Sequence, residues 1–206
     1  YNQLYHTELS REENWNKMSL VFEECSFWDF SLQVYGCEGV SAACIGLQDR
    51  HILDVNIILL SIWLGHDGHP IMDNNALNRA LDISRRWNKE IICGVRAVRL
   101  ALKDDFSPIG AENCEVLRKS ILSLEIEGEH LEQLALASTV ISKPNPELEP
   151  SLRLAICTAN LGLYLTELGV KLNEQDYAEF RVIFAATFPG LDEEVLGFAM
   201  QSFAAI

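Results

Sequence analysis

The sequence predicts an all-α protein of about seven or eight helices, a multi-helix bundle with a C-terminal helical extension. Three observations carry that class. Apolar residues recur at spacings of three and four through most of the chain, the period of one helical face. Capping-box patterns of the Ser-x-x-Glu/Asp type stand ahead of such runs. Strand signals are nearly absent, since Ile57-Ile58 is β-branched but lies inside an apolar run of helical length. The 206 residues suffice for a real core, and 49% hydrophobic with 22% charged residues places the chain among globular proteins rather than disordered ones.

Taken in order, Ser10-x-x-Glu13 precedes Trp15, Met18, Leu20, Val21 and Phe22, which predicts a first helix near 10–24. Ser26-x-x-Asp29 opens a second, stopped by Gly36 and Gly39. Residues 40–50 read as a short helix whose Ser41, Ala42, Ala43 and Gly46 permit close contacts. Asp54 can cap a very apolar helix ending near Gly65, and 66–75 is a loop broken by Gly68 and Pro70. A long helix over 74–103 places Trp87, Ile91, Val95, Val98 and Leu102 on one face. After a break at 104–110, a helix over 111–141 carries Leu117, Ile121, Leu124, Gly128, Leu131 and Ala135 on a seven-residue seam, where Gly128 suggests close backbone approach. Residues 143–150 hold three of the six prolines and read as a stiff linker. Ser151 and Asn173 can cap two further helices, and the acidic turn at 189–194 opens a last one. The expected organisation is an N-terminal helical extension (1–25), a main bundle (26–141), a proline-rich linker (142–150) and a C-terminal helical cap (151–206).

A net charge of −14 works against nucleic acid, which needs a positive footprint, and against anionic membrane surfaces. The longest apolar run, 55–64, is half the length of a membrane span. The N-terminus lacks the basic and apolar regions of a signal peptide. None of the six cysteines forms a CxxC pair, and they read as thiols of a reducing cytoplasm. No glycine-rich phosphate loop, GxSxG elbow, HExxH pair or DDxxD box is present, so nothing calls for a cofactor.

Residues 27–65 contain only five Asp, Glu, Lys or Arg residues, so Asp29, Asp49, Asp54 and Asn56 lie in unusually apolar surroundings. Two facing carboxylates there could make an acid/base pair. Local capping and pairing of Asp49 with Arg50 is the plainer reading, but Asn56 falls within an apolar helix, where its amide needs a partner. Trp28, Phe30 and Trp63 could line a pocket with Asp29, Asp54 and Asn56 at its edge. Glu127 and His130 have the Glu-x-x-His spacing of carboxylate-bridged metal bundles, without the second copy such a site needs. Glu125, Glu129 and Glu132 recur there as a solvated acidic face would. His66, Asp67 and His69 read as a polar loop before a metal site. Residues 79–103 carry seven basic and two acidic residues, with Arg85, Lys89, Arg96 and Lys103 on one stripe and Arg99 near it. That stripe either pairs with the following acidic helix or offers a surface to carboxylates or phosphates.

The elements FWDF, LQD…LDVN…WLG, RWNKEIICGVRAVRLALK and LEIEGEHLEQLAL together resemble a family of small, uncharacterised, mainly proteobacterial proteins. The resemblance covers roughly residues 26–140. It implies a helical cytoplasmic protein and brings no activity with it. Residues 1–25 depart from the family pattern, and the region after the proline linker is similar to its variable extensions. The expected function is protein interaction or assembly, with a homodimer or a protein partner. The alternatives are a small-molecule binder or enzyme using the apolar pocket, and a metal-binding bundle.

Overall fold

The computed structural model describes residues 20–104 and 108–204. Every regular element among them is helical, with no strand. The order is α1 (Ser26–Tyr35), α2 (Val40–His51), α3 (Val55–Asp67), α4 (Asn74–Trp87), a π turn (Asn88–Ile92), α5 (Cys93–Ala101), α6 (Ala111–Ser138), α7 (Pro150–Glu167), α8 (Glu174–Thr187) and α9 (Glu193–Ala204). The helix expected over 10–24 lies mostly outside the described residues, and its last part, 20–24, is not helical.

α3 is the centre of the molecule, with ten consecutive residues from Asn56 to Gly65 buried. A helix buried all round must be enclosed by neighbours, and α1, α2, α4, α6 and α7 all pack on it. The tightest approach is to α7. A Cβ on Gly65 would stand 2.5 Å from Cys157 Sγ and 2.6 Å from the Arg153 carbonyl oxygen. Only glycine lets the two helices cross at that distance. Leu154, Leu161, Tyr164, Phe180 and Phe184 join Ile57, Leu60 and Trp63 in one hydrophobic core. The C-terminal helices therefore pack on their own chain.

The proline-rich stretch is pinned rather than free. Asn145 N–H donates to the Gly68 carbonyl at 2.8 Å, and Arg153 donates to the carbonyls of His66, Pro146 and Leu148. Gly68, at φ +92°, leaves no room for a side chain beneath Asn145.

Caps follow the sequence in part. Asp54 and Asp73 accept backbone N–H groups at the starts of α3 and α4. Asn173 and Asp176 form a full capping box on α8. Two expectations fail. α1 starts at Ser26 after Cys25 with no side-chain cap, leaving Asp29 exposed in the first turn. α7 starts at Pro150, whose missing N–H suits the first helical position, so Ser151 lies inside the helix.

The long helix over 74–103 is continuous but carries the π turn, whose extra residue shifts the phase of one side relative to the other. Ile92 is consequently buried while Ile91 is exposed, and the expected stripe through Ile91 and Val98 faces outward. α6 also turns differently from expectation. Its buried positions are Cys114, Glu125, Gly128, Glu132, Gln133 and Leu136, not the leucine seam. Gly128 makes the close approach its place suggested, since a Cβ there would stand 2.8 Å from Ile92 Cδ1. The Trp87 indole N–H donates to the Gly128 carbonyl at 3.0 Å. Beyond this crossing α5 and the first half of α6 continue as a two-helix arm, and α5 contributes no buried residue.

Candidate functional site: a buried polar network and an open arm

The polar cluster grows from the N-cap of α3. Asp54 Oδ1 accepts the Asn56 N–H at 2.9 Å, its Oδ2 accepts the Ser84 hydroxyl of α4, and its own N–H donates to the Tyr164 hydroxyl of α7 at 2.9 Å. Asn56, in the first turn of α3, is buried. Its Nδ2 donates to Glu132 Oε2 at 2.8 Å, and its Oδ1 accepts Gln133 Nε2 at 2.8 Å. Six polar side chains from α3, α4, α6 and α7 thus meet beneath the start of α3.

Glu132 is 1% exposed. Burial, then the charge of neighbouring Asp54, pushes its pKa up to about 8, against the opposing hydrogen bond from Asn56. Its Oε1 and the Oε1 of Gln133 are buried without a hydrogen-bond partner. A solvated acidic face was expected at Glu125, Glu129 and Glu132. Instead Glu125 and Glu132 are buried and Glu129 is half-buried.

A second network adjoins the first. Arg96 of α5 reaches Glu125 and Glu129 at 2.7 Å each and Gln48 of α2 at 2.8 Å, while Arg99 also binds Glu125. Burial acts to raise Glu125, but the two guanidiniums outweigh it and hold the carboxyl below its usual range. Glu129 goes the other way, raised by burial against the pull of Arg96. The basic stripe thus turns Arg96 and Arg99 to the acidic helix. Arg85 stands 3.6 Å from Glu167 of α7, and Lys89 and Lys103 are exposed.

A third group ties α2 to α8. Arg50 binds Asp176 at 2.8 Å and also Glu179, and His51 Nε2 lies 2.8 Å from Asp176 Oδ2. Arg50 does not pair with Asp49, which is exposed. The next residue, Ile52, is 90% exposed and holds φ 57°, ψ 34°, the left-handed region that a β-branched side chain resists.

The remaining candidates do not converge. Trp63 is buried against Phe27 and His69, whereas Trp28 stacks on His130 at 4.1 Å. Phe22 stacks on the other face of His130 at 4.0 Å, and burial lowers the imidazole pKa despite nearby Asp29. Among the described residues no three His, Cys, Asp or Glu side chains, around Glu127 and His130 or elsewhere, gather as a metal site would require. His69 is held by Ser142 and Asp67, while His66 packs between Phe30 and Phe188. A surface cleft of about 730 Å³ lies on the arm between Leu102, Lys103, Cys114 and Arg118, and two smaller ones lie away from the candidate residues. One of about 180 Å³ runs between Leu64, Met72 and Val140, and one of about 220 Å³ between Leu165, Leu172 and Phe203.

On the arm, Leu117 is 51% and Leu124 59% exposed, and Val116, Ile126, Val98 and Leu100 are exposed as well. Leu117 and Leu124 belong to the outer half of the seven-residue seam, and Gly128 and Leu131 continue it into the bundle.

The fold and site define an all-helical bundle whose core encloses an acidic, hydrogen-bonded network. The model of the family described as "Protein of unknown function (DUF2390)" matches residues 26–136, more than half of the chain, and the chain belongs to that family. The match takes in Asp54, Asn56, Ser84, Glu132 and Gln133 but not Tyr164. No curated protein and no solved structure matches the chain significantly. Among the described residues no helix is long and apolar enough to cross a membrane.

Proposed function

We propose that this chain is an interaction or assembly protein of the bacterial cytoplasm that pairs with a second copy of itself through its α5–α6 arm. The carrying observation is the exposed seam. Leu117, Ile121, Leu124, Gly128 and Leu131 follow spacings of four and three, the repeat by which one helix packs knobs into holes on another. Its inner part meets the bundle, and its outer leucines are left open. Covering what remains exposed of each is worth about 1 kcal/mol. A second copy offers the same spacing, and a two-fold axis sets the two seams against each other without leaving an open end. The six free thiols suit a reducing compartment.

The test is a Leu117→Glu, Leu124→Glu double variant, compared with the wild type by sedimentation equilibrium. Both substitutions fall on exposed positions, so the monomer should fold with an unchanged helical circular dichroism spectrum. The dimer should weaken at least about 100-fold. Equal masses for the two proteins at every concentration would contradict the reading.

A second reading, a small-molecule site at Asp54 and Asn56, is favoured by one observation: the partnerless oxygens of Glu132 and Gln133. Against it, both Asp54 and Asn56 are hydrogen-bonded within the chain, and the clefts named above are lined by other residues.

A further inference from the structure

We propose that Asp54 and Glu132 form a proton-sharing carboxyl pair, with the proton on Glu132 Oε1 directed at the Asp54 carboxylate, and that this bound proton locks α3, α4 and α6 together.

The geometry leaves little else for that oxygen. Glu132 Oε2 already accepts the Asn56 amide, and Oε1 is buried with no donor. Asn56 spans the two carboxyls, its N–H donating to Asp54 Oδ1 and its Nδ2 to Glu132 Oε2, and both Asp54 oxygens already accept hydrogen bonds, from Asn56 N–H and Ser84. Glu132 is buried and Asp54 half-buried, and two charged carboxylates bridged by one amide repel, so neutralising the buried one relieves the cluster. The nearby guanidiniums are engaged elsewhere, Arg96 with Glu125 and Glu129 and Arg85 with Glu167. No third His, Cys, Asp or Glu among the described residues completes a metal site. A proton on Glu132 Oε1 removes the repulsion and supplies the missing donor in one step.

The groups facing the pair are known from every side. α3 contributes Asp54 and Asn56, α4 Ser84, α6 Glu129 and Gln133, and α7 the Tyr164 phenol, which burial keeps protonated. The folded state therefore binds a proton that the unfolded chain releases in the ordinary carboxylate range. Stability is fully present below that range and falls as pH rises toward the folded value, reaching a plateau above it. Rising pH converts the lock into two like charges, and the start of α3 loosens from α4 and α6.

The test compares thermal unfolding of the wild type and Glu132→Gln from about pH 5 to about pH 9, the interval over which linkage acts on a raised carboxyl. Glutamine keeps a neutral donor at this position. The midpoint of the wild type should fall across the interval by several degrees more than that of the variant, and at pH 9 the variant should be the more stable. Infrared difference spectroscopy on the wild type reads the proton directly and needs no variant to fold. A protonated carboxyl band should be present at pH 7 and absent at pH 10. Parallel stability profiles, or no such band at pH 7, would overturn the proposal. So would a Ca²⁺ or Mg²⁺ titration that stabilises the wild type but not Glu132→Gln, since a cation would then stand where the proton is placed.

Discussion

Asn56 shows how far one residue can be read ahead of the structure. An amide inside an apolar helix demands partners, and that demand is visible in the sequence. The partners, Glu132 and Gln133, lie 76 and 77 residues further on, and no local pattern links them to it. A clue was nevertheless present. Glu125 and Glu132 stand three before and four after Gly128, on its face of the helix. A face that approaches another backbone at a glycine is buried, and its carboxylates are buried with it. Ile52 carries a different residue-scale signal. A left-handed backbone costs an ordinary residue about 1–2 kcal/mol, and its exposed side chain recovers nothing by packing. Ile52→Asn should therefore stabilise the protein by about 1 kcal/mol in urea unfolding, because asparagine tolerates that conformation. A loss of stability would show that the isoleucine makes a contact in solution that offsets its strain.

At the scale of elements, capping chemistry and turn glycines placed most helix boundaries within a few residues, including the start of α8 after Asn173. Which face each helix buries was less legible, for two physical reasons. The π turn at Asn88–Ile92 shifts the phase of the basic helix, and no periodic pattern announces an inserted residue. On α6 the apolar seam promises a partner without saying whether it belongs to the same chain. The two helix-crossing glycines separate a hard contact from a soft one. Gly65→Ala would drive a methyl into the backbone of α7 and should cost about 3 kcal/mol or more by denaturant unfolding. Gly128→Ala meets only the end of the Ile92 side chain, which can rotate away, so its cost should stay near about 1 kcal/mol or less. Equal costs would mean that the α3–α7 crossing relaxes as readily as the α4–α6 crossing.

For the whole molecule, the helical class and the absence of a catalytic motif were plain from the sequence. The proline-rich stretch read as a boundary between bundle and cap, yet α7 seals the face of α3 that the earlier helices leave open. The sequence alone does not show this, because an apolar face on α7 would serve equally for an intramolecular or an intermolecular contact. The same ambiguity now attaches to the α5–α6 arm, whose exposed Leu117 and Leu124 are left without a partner helix among the described residues. Native mass spectrometry of the wild-type chain over a range of concentrations addresses it most directly. A homodimer that dissociates on dilution, with no retained small ligand, is the expected result. A monomer at all concentrations, or a monomer carrying a bound small molecule, would contradict self-assembly through the arm and return attention to the cluster around Asp54.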